Sequence, residues 1–565
     1  MDGRRTDLAF FRKKKMKKRW EFLNKSEVRS QESLVETLLK NRNITDRESF
    51  FNPPNPSDLV TQLPSYLPDL DQEQLQKATE RIKIAIEKRE KIIVWGDYDV
   101  DGICATAVLW QTLYGLGAKV LPHIPDRFEE GYGLGSEKIK KLAEEGCRLI
   151  ITVDSGITAV EEADLIKELG VDLIITDHHL KPRKLPKAHA IVHTTALCGT
   201  GIAWLLARSL QQTANGKQPD RLAVSGMPYA GLDLVAIATI ADLQPLLGAN
   251  RALVTAGFEV LNRRERPGLA ALAQVAGLKG ELDSYAAGWV LGPRINAVGR
   301  IKHGIEALRL LCTPNPTRAH QLAQILNQAN VERQALTVHT FDHAKGLVEK
   351  GDGLIVVYHD SWHEGIIGLV AGRIVEEYGR PAIVVSQGKD FSKGSARSVN
   401  GLNIVEVLRA EEDLLEDVGG HAAAAGFTIK TKNLEEFVRR IRRNTAPLLT
   451  KLDPRPLLKM DARLPLEMVD LALVKELHRF APHGVGNPEP VFLAEGVEVI
   501  QVKKIGREKN HLKVGVAPSL EVLWFNASQS LERGQKIDFA YTPQIERWDG
   551  REGIVLKARD VKLSP

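Results

Sequence analysis

From about residue 86 onward, short runs of β-branched residues alternate with longer stretches of helical periodicity. Residues 91–95, 149–153, 172–176 and 190–192 are apolar runs of strand length, separated by helical stretches at 103–116, 136–145 and 159–169. Strands alternating with helices of this length predict βαβ units on a parallel sheet. A second alternation follows, with strands at 354–358 and 382–386 flanking a helix at 366–378. Between the two, residues 318–348 contain few breakers after Thr313-Pro314-Asn315-Pro316 and read as one long connecting helix. Beyond Pro454 the pattern becomes alternating, with five short strands at 497–502, 512–516, 521–525, 536–541 and 554–558, the signature of a small antiparallel barrel of OB type. The fold class is therefore α/β: a parallel-sheet domain (86–302), a helical connector (303–349), a smaller α/β domain (350–453) and a C-terminal β-barrel (454–565). Residues 1–85 form a basic N-terminal segment with a short helix at 33–39, a Pro/Asn-rich stretch and no visible chemistry.

Composition bounds the class. Hydrophobic residues make up 43 % of the 565, which excludes wholesale disorder. The net charge of +5 is unevenly placed: between Met1 and Trp20 nine basic residues face only Asp2 and Asp7, so the other 545 residues carry −2. The basic run reads equally as a solvated tail or a phosphate-contacting arm. Cys104, Cys147, Cys198 and Cys312 form no CxxC pair, which speaks against a disulfide framework or zinc ribbon and for a reducing, cytoplasmic setting. No apolar window reaches the roughly 18 residues of a spanning helix, and Phe10 and Phe11 are too short a core for a signal peptide. No membrane association is expected.

The chemistry sits at strand ends. The run 91–95 leads into Gly96-Asp97-Tyr98-Asp99-Val100-Asp101-Gly102, and alternate residues of an extended chain share a face, so Asp97, Asp99 and Asp101 converge, with Gly102 permitting the turn into a helix. Three such carboxylates repel one another unless a cation neutralises them. An Asp-rich helix cap would explain this turn alone. The construction recurs, however: 149–153 ends in Asp154-Ser155-Gly156 and 172–176 in Asp177-His178-His179. Three successive strand ends bearing Asp or His point to one metal cluster. Asp242, a lone charge in the apolar stretch Ile237-Ala238-Thr239-Ile240-Ala241-Asp242-Leu243, is a further ligand candidate, against the alternative of a core Asp paired with Arg. Carboxylate and imidazole donors without thiolates suit Mn²⁺ or Mg²⁺, and two such ions support phosphoester or phosphoanhydride hydrolysis.

These segments resemble the DHH phosphoesterase superfamily and, within it, the RecJ-type single-strand-specific 5′→3′ exonucleases. GDYDVDG (96–102), TVDSGI (152–157), DHH (177–179) and TIADLQPL (239–246) stand in the order of that family's metal-binding motifs. PDRFEEGYGL (125–134), LCGTGIAWLL (197–206), GPRINAVGR (292–300), HEGIIGLVAGR (363–373), KGSARS (393–398), GGHAAAAGF (419–427) and FAPHGVGNPEPVF (480–492) extend the resemblance over residues 85–565. It implies a DHH domain, a DHH-associated domain and an OB-fold. It further implies that Asp97, Asp99, Asp154, His178 and Asp242 ligate two Mn²⁺ or Mg²⁺ ions with Asp154 bridging, that His179 faces the scissile phosphate, and that Asp101 and Asp177 support the site. Arg127 and Tyr132 would lie at the substrate channel, with Arg127 reading the 5′-phosphate. Arg294, Asn296 and Arg300 would contact phosphates near the metals, while Arg397, Ser398, Gly420 and His421 would close over the strand from the second domain. The run GGHAAAAG reads otherwise as small residues permitting close helix packing. Single-stranded DNA is the implied partner of a monomer, with a single-strand-binding protein or helicase as candidate protein partners and DNA repair and recombination as the setting. Barrel aromatics Trp524, Phe525, Tyr541 and Trp548 divide between core and base stacking.

The sequence departs from the family in three places. Ile93, Val94 and Trp95 stand where some members carry a histidine ligand, Val192-His193-Thr194 leads into an abbreviated loop, and no domain follows the barrel, so a partner contact through a C-terminal extension is not expected. Two other functions compete: a nanoRNase or cyclic-dinucleotide phosphodiesterase of the same superfamily, and a non-catalytic DHH replication scaffold. The barrel weighs against the first and the retained acids against the second.

Overall fold

The computed structural model describes residues 18–24, 28, 30–127, 130–131, 133–213, 231–301, 304–349, 351, 353–450, 452–453, 455–548 and 551–565. Tyr132 and the basic residues from Arg4 to Lys17 lie outside them, as does the side chain of Trp548. The chain divides into two compact units, one of Ile44–Gln334 with Phe480–Glu489, the other of the residues up to Asn43 with Ala335–Arg479 and Pro490–Pro565.

In the first unit, five parallel strands lie in the order Lys119–His123, Lys91–Trp95, Cys147–Val153, Asp172–Asp177, Ala190–His193. The alternation within each strand feeds two cores. Ile92, Val94, Leu149, Ile151 and Ile174 join the larger cluster on one face. Ile93, Trp95, Ile150, Leu173 and Ile175 join another on the opposite face. A sheet buried on both sides needs near-continuous apolar strands, which is why these runs were so legible. The first strand sits between the second and third, so the chain winds outward in both directions from it. The crevice at such a switch point, beyond the carboxyl ends of the strands, is where open α/β sheets place their ligands.

Helix Val100–Gly115 starts three residues before the expected 103 because Asp99 caps it, accepting from the Asp101 and Gly102 amides. Gly102 serves close approach rather than a special turn conformation: a Cβ there would lie 2.5 Å from the Asp97 amide nitrogen. The long connector is a 32-residue helix, Pro316–Leu347, whose leading proline suits a first turn.

The second unit carries a mixed sheet in the order Leu415–His421, Ala424–Lys430, Phe391–Arg397, Ala382–Ser386, Ile355–His359. GGHAAAAGF forms the turn of a β-hairpin, with His421 opposite Ala424. The helix-packing reading of this run is thereby corrected: Phe427 and Ile429 alternate into a core, and that burial outweighs the helix propensity of four alanines.

The barrel sheet has seven strands, not five, ordered Ala462–Arg463, Phe492–Glu498, Lys536–Trp548, Arg551–Leu563, Leu520–Trp524, His511–Ala517, Gln501–Ile505. The expected strand at 497–502 is two strands that end up far apart in the sheet. Lys536–Trp548 and Arg551–Leu563 each run 13 residues, well past their apolar cores, because Pro543 and the charged Lys557-Ala558-Arg559-Asp560 stretch hide the strand pattern. The N-terminal segment also contributes structure that its sequence does not announce. Arg19–Phe22 pairs in parallel with Leu457–Met460, and Trp20 and Phe22 pack on Met460, Leu493 and Ala540. The short helix is Gln31–Asn41.

Candidate metal centre

The acids reach the crevice from four elements. Asp97 and Asp99 follow Lys91–Trp95, Asp154 follows Cys147–Val153, Asp177 closes Asp172–Asp177, and Asp242 ends helix Leu232–Ala241. Ligand atoms of Asp97, Asp99 and Asp154 lie within 4.8 Å of one another, as do those of Asp154, His178 and His179, and those of Asp101, His178 and Asp242. Asp154 belongs to two of these groups. It holds φ +60°, a left-handed backbone that few non-glycine residues adopt and that clusters at functional sites.

Asp154 Oδ1 stands 3.1 Å from His178 Nε2 without hydrogen-bond geometry, and it and Asp97 Oδ1 are buried with no hydrogen-bond partner. Buried carboxylate oxygens are costly to leave unpaired; oxygens converging with an imidazole are what a shared cation requires. Gly199 makes room for this, since a Cβ there would meet Asp154 Cβ at 2.5 Å.

Burial pushes the Asp97 carboxyl well above the usual range, and the neighbouring Asp99 charge adds to it. Asp154 is displaced the same way by burial and by Asp101, Asp99 and Asp97. Burial and then Asp101 raise Asp99, and the same two causes bring Asp242 to about 7. Four carboxyls that resist ionisation together form a site for divalent cations. The donors are oxygens with imidazole; the nearby Cys104 and Cys198 thiols are pushed up by burial and by Asp101, which keeps them protonated. That hard set fits Mn²⁺ or Mg²⁺.

Asp101 and Asp177 hold the frame. The Asp101 carboxylate accepts from Gly199 N at 2.7 Å, Thr200 N at 2.8 Å and Thr200 Oγ1 at 2.6 Å, capping helix Gly199–Thr213. Asp177 accepts from Ile157 N at 2.9 Å, His178 N at 2.7 Å, His179 N at 3.0 Å and His179 Nδ1 at 2.8 Å. Burial opposes charge on His179, but the hydrogen bond to Asp177 outweighs it and raises the imidazole to about 9. Burial instead lowers His178, keeping it neutral as a ligand must be.

Sequence reasoning missed two residues of this frame. Gln244 Nε2 donates to Asp242 Oδ2 at 2.8 Å and lies 3.3 Å from His178 Nδ1. His193 Nε2 donates to His179 O at 2.7 Å. Neither carries a charge pattern that would single it out; only proximity in the fold does.

The remaining site residues divide between the units. Arg127 lies over the Tyr98 ring at 5.0 Å, close enough for its charge to oppose the rise at Asp97. Asn296 Oδ1 accepts from Val100 N at 2.8 Å, steadying the start of the acidic helix. Arg294 is held by Asn327 Oδ1 at 3.0 Å and Val290 O at 2.8 Å, and Arg300 follows on the same helix, Gly292–Ile301. In the other unit, Arg397 and His421 are both register partners of Ala424, standing on the strands either side of it. Gly420 lies beside His421 with φ +135°, and Ser398 Oγ donates to Leu402 O at 2.6 Å. Of the barrel aromatics, Trp524 and Tyr541 are core while Phe525 is 48 % exposed.

The sequence matches the DHH family, N-terminal domain over residues 91–239, the DHHA1 domain over 351–446 and the RecJ OB domain over 460–560. Among curated proteins it is 38 % identical to the single-stranded-DNA-specific exonuclease RecJ of Bacillus subtilis over 87 % of this chain and 63 % of that one, so it spans under two thirds of that relative's length. The RecJ exonucleases of Haemophilus influenzae and Thermus thermophilus are 30 % and 34 % identical, with 89 % and 71 % of their lengths covered. The crystal structure of Thermus thermophilus RecJ in complex with Mn²⁺ superposes with a TM-score of 0.82 at 30 % identity, covering 97 % of this chain and 80 % of that one. Its Mg²⁺ complex gives 0.75 at 28 % identity, covering 97 % and 78 %. With these matches running through the acidic crevice, the second sheet and the barrel alike, the chain belongs to the RecJ family of single-stranded-DNA-specific exonucleases within the DHH phosphoesterases.

Proposed function

We propose that this chain degrades single-stranded DNA from its 5′ end, releasing 5′-mononucleotides, with two Mn²⁺ or Mg²⁺ ions held by Asp97, Asp99, Asp154, His178 and Asp242. The observation that carries this reading is the buried Asp154, shared by two donor groups and offering an oxygen with no hydrogen-bond partner. Two such ions, when bound, supply a metal-activated water and offset charge on the phosphoryl transition state. The protein's own part is orientation. Asp177 accepts Nδ1–H of His179, so proton exchange with the scissile group falls to Nε2. Arg127 takes the 5′-phosphate, for which a guanidinium fork is suited, with Tyr132 beside it in the channel. Arg294, Asn296 and Arg300 bind phosphates near the metals, and Arg397, Ser398, Gly420 and His421 meet the strand from the second domain. The barrel holds the downstream strand through stacking and phosphate contacts, with Phe525 available for a base.

The same reading makes the chain a cytoplasmic monomer in DNA repair and recombination, working alongside a single-strand-binding protein or helicase. No helix among the described residues is long and apolar enough to cross a membrane.

A time course with Mn²⁺ on one oligonucleotide labelled at either end tests this, with a duplex and a dinucleotide alongside. Immediate release of the 5′ label as mononucleotide, stepwise shortening of the 3′-labelled strand and a spared duplex are expected. Intact strands with rapid dinucleotide cleavage would place the chain on the small-substrate branch instead.

A further inference from the structure

Segment Phe480–Glu489 belongs to the catalytic unit, although the chain on both sides of it belongs to the other. What it touches there is the turn that follows Asp242. Leu246 N donates to Val485 O at 2.8 Å. A Cβ on Gly484 would stand 2.7 Å from Leu246 Cδ1, and one on Gly486, at φ +76°, would meet Leu247 and Pro245.

The segment is itself firmly held. Asn487 is fully buried and donates to Phe480 O at 2.6 Å and Pro482 O at 3.0 Å. Buried Arg251, on the helix that starts just after the turn, donates to Phe480 O at 3.2 Å and Ala481 O at 2.8 Å. Its third anchor is Phe50 O at 2.6 Å, with the guanidinium 3.8 Å from the Phe50 ring centre.

The brace takes over where the helix ends. Asp242 N–H reaches Ala238 O at 2.8 Å and, with Leu243 at φ +59°, Gln244 N–H returns to Thr239 O at 3.1 Å, closing the helix; the turn that follows is then tied by Leu246 N to Val485 O. Gln244, which bridges Asp242 and His178, sits in the same turn. A displacement of Leu246 by a fraction of an ångström therefore reaches both donors within two to four residues.

We propose that Phe480–Glu489 is a positioning clamp for the Asp242 ligand, through which Gly484 and Arg251, neither of them touching the metals, set the affinity of the site. The proposal rests on the reading of Asp242 as a ligand. Groups that orient ligands without touching the ion commonly alter metal affinity by about 10–100-fold when changed.

The test is Mn²⁺ binding to the full chain without DNA, followed by the loss of the free-ion paramagnetic resonance signal and by calorimetry. Gly484→Val is the main variant. Gly484→Ala, whose methyl presses on the Leu246 side chain and touches Ile240 Cδ1 at 3.9 Å, serves if the valine fails to fold, and Asp242→Ala is the reference. Weakening of at least one Mn²⁺ site by about tenfold in Gly484→Val, with a smaller change of the same sign in Gly484→Ala, is expected. Single-strand affinity measured in chelator should stay within about twofold, a difference of under about 0.5 kcal/mol. A folded Gly484 variant that binds Mn²⁺ like the parent while Asp242→Ala does not would overturn the clamp alone. Unchanged Mn²⁺ binding in Asp242→Ala would overturn the ligand reading, and the clamp with it.

Discussion

The ring of His193 donates its Nε2 hydrogen bond to the main-chain carbonyl of His179 at 2.7 Å, fixing the backbone of the DHH turn from the adjacent strand. Because the next strand over supplies this bond, the pair of histidines is held from both sides: Asp177 orients the His179 ring and His193 its carbonyl. In His193→Ala that carbonyl loses its partner, which costs about 1–3 kcal/mol of stability. The turnover number on single-stranded DNA is expected to fall about 10–100-fold. His193→Gln, which keeps a donor at similar reach, should recover most of both. Steady-state kinetics and thermal melts of the two variants check this, and an Ala variant with parental turnover would dismiss the role.

The metal frame was readable because its physics is local. Acids at strand ends announce themselves against apolar runs, and Asp154 and Asp177 are legible for that reason alone. Gln244 and His193 were not, since an uncharged amide and a single histidine look like surface until the fold brings them to Asp242 and His179. The barrel was under-read for the opposite reason. Lys536–Trp548 is buried continuously from Phe539 to Pro543 and so lacks a clean alternation, and the charged residues of Arg551–Leu563 break the apolar alternation that betrays a strand. The pairing of Arg19–Phe22 with Leu457–Met460 spans over four hundred residues, and no local signal encodes it.

Removing metal should make stability pH-dependent in a definite direction. Carboxyls raised in the folded state bind protons more tightly there than in the unfolded chain, so the native state is favoured at low pH and loses that advantage as pH rises through the folded values. For Asp242 that value is about 7, and Asp97, Asp99 and Asp154 are also raised, chiefly by burial. The melting temperature in chelator should therefore fall between about pH 5 and pH 8. Mn²⁺ at about a hundredfold excess over its dissociation constant should restore roughly 2.7 kcal/mol. The gap between the two curves is expected to widen with pH. Parallel curves would mean that these carboxyls do not form the ion site.

Arg42 and Asp461 form a buried pair at 2.9 Å, with side chains only 2 % and 4 % exposed. Asn41 Nδ2 joins Asp461 Oδ1 at 3.0 Å and Val491 N donates to Oδ2 at 3.0 Å. The N-terminal helix is thus tied to the entry of the barrel through one carboxylate. Asp461→Ala removes the buried carboxylate on which Arg42, Asn41 and the Val491 amide converge, a change that destabilises by about 3–5 kcal/mol. Urea denaturation should show that loss, while Mn²⁺ binding stays as in the parent because the proposed metal ligands lie in the other unit. A loss under about 1 kcal/mol would indicate a solvent-screened pair.

Asp154 sets stability against activity. Its left-handed backbone excludes most replacements, but asparagine tolerates that conformation and keeps the side-chain shape while removing the charge. Without metal, Asp154→Asn relieves repulsion from Asp101, Asp99 and Asp97, which with burial raise the Asp154 carboxyl. Its melting temperature in chelator should exceed the parent's at neutral pH, and the difference should vanish at acid pH, where the parent's carboxyl is protonated as well. Cleavage should drop by about 10³-fold or more, the scale of losing a preorganised electrostatic partner in the transition state. Melts in chelator and single-turnover cleavage in Mn²⁺ measure the two arms separately. A variant that is inactive yet no more stable than the parent would show that the Asp154 charge is already compensated within the protein, leaving its unpaired oxygen without the cation that the geometry calls for.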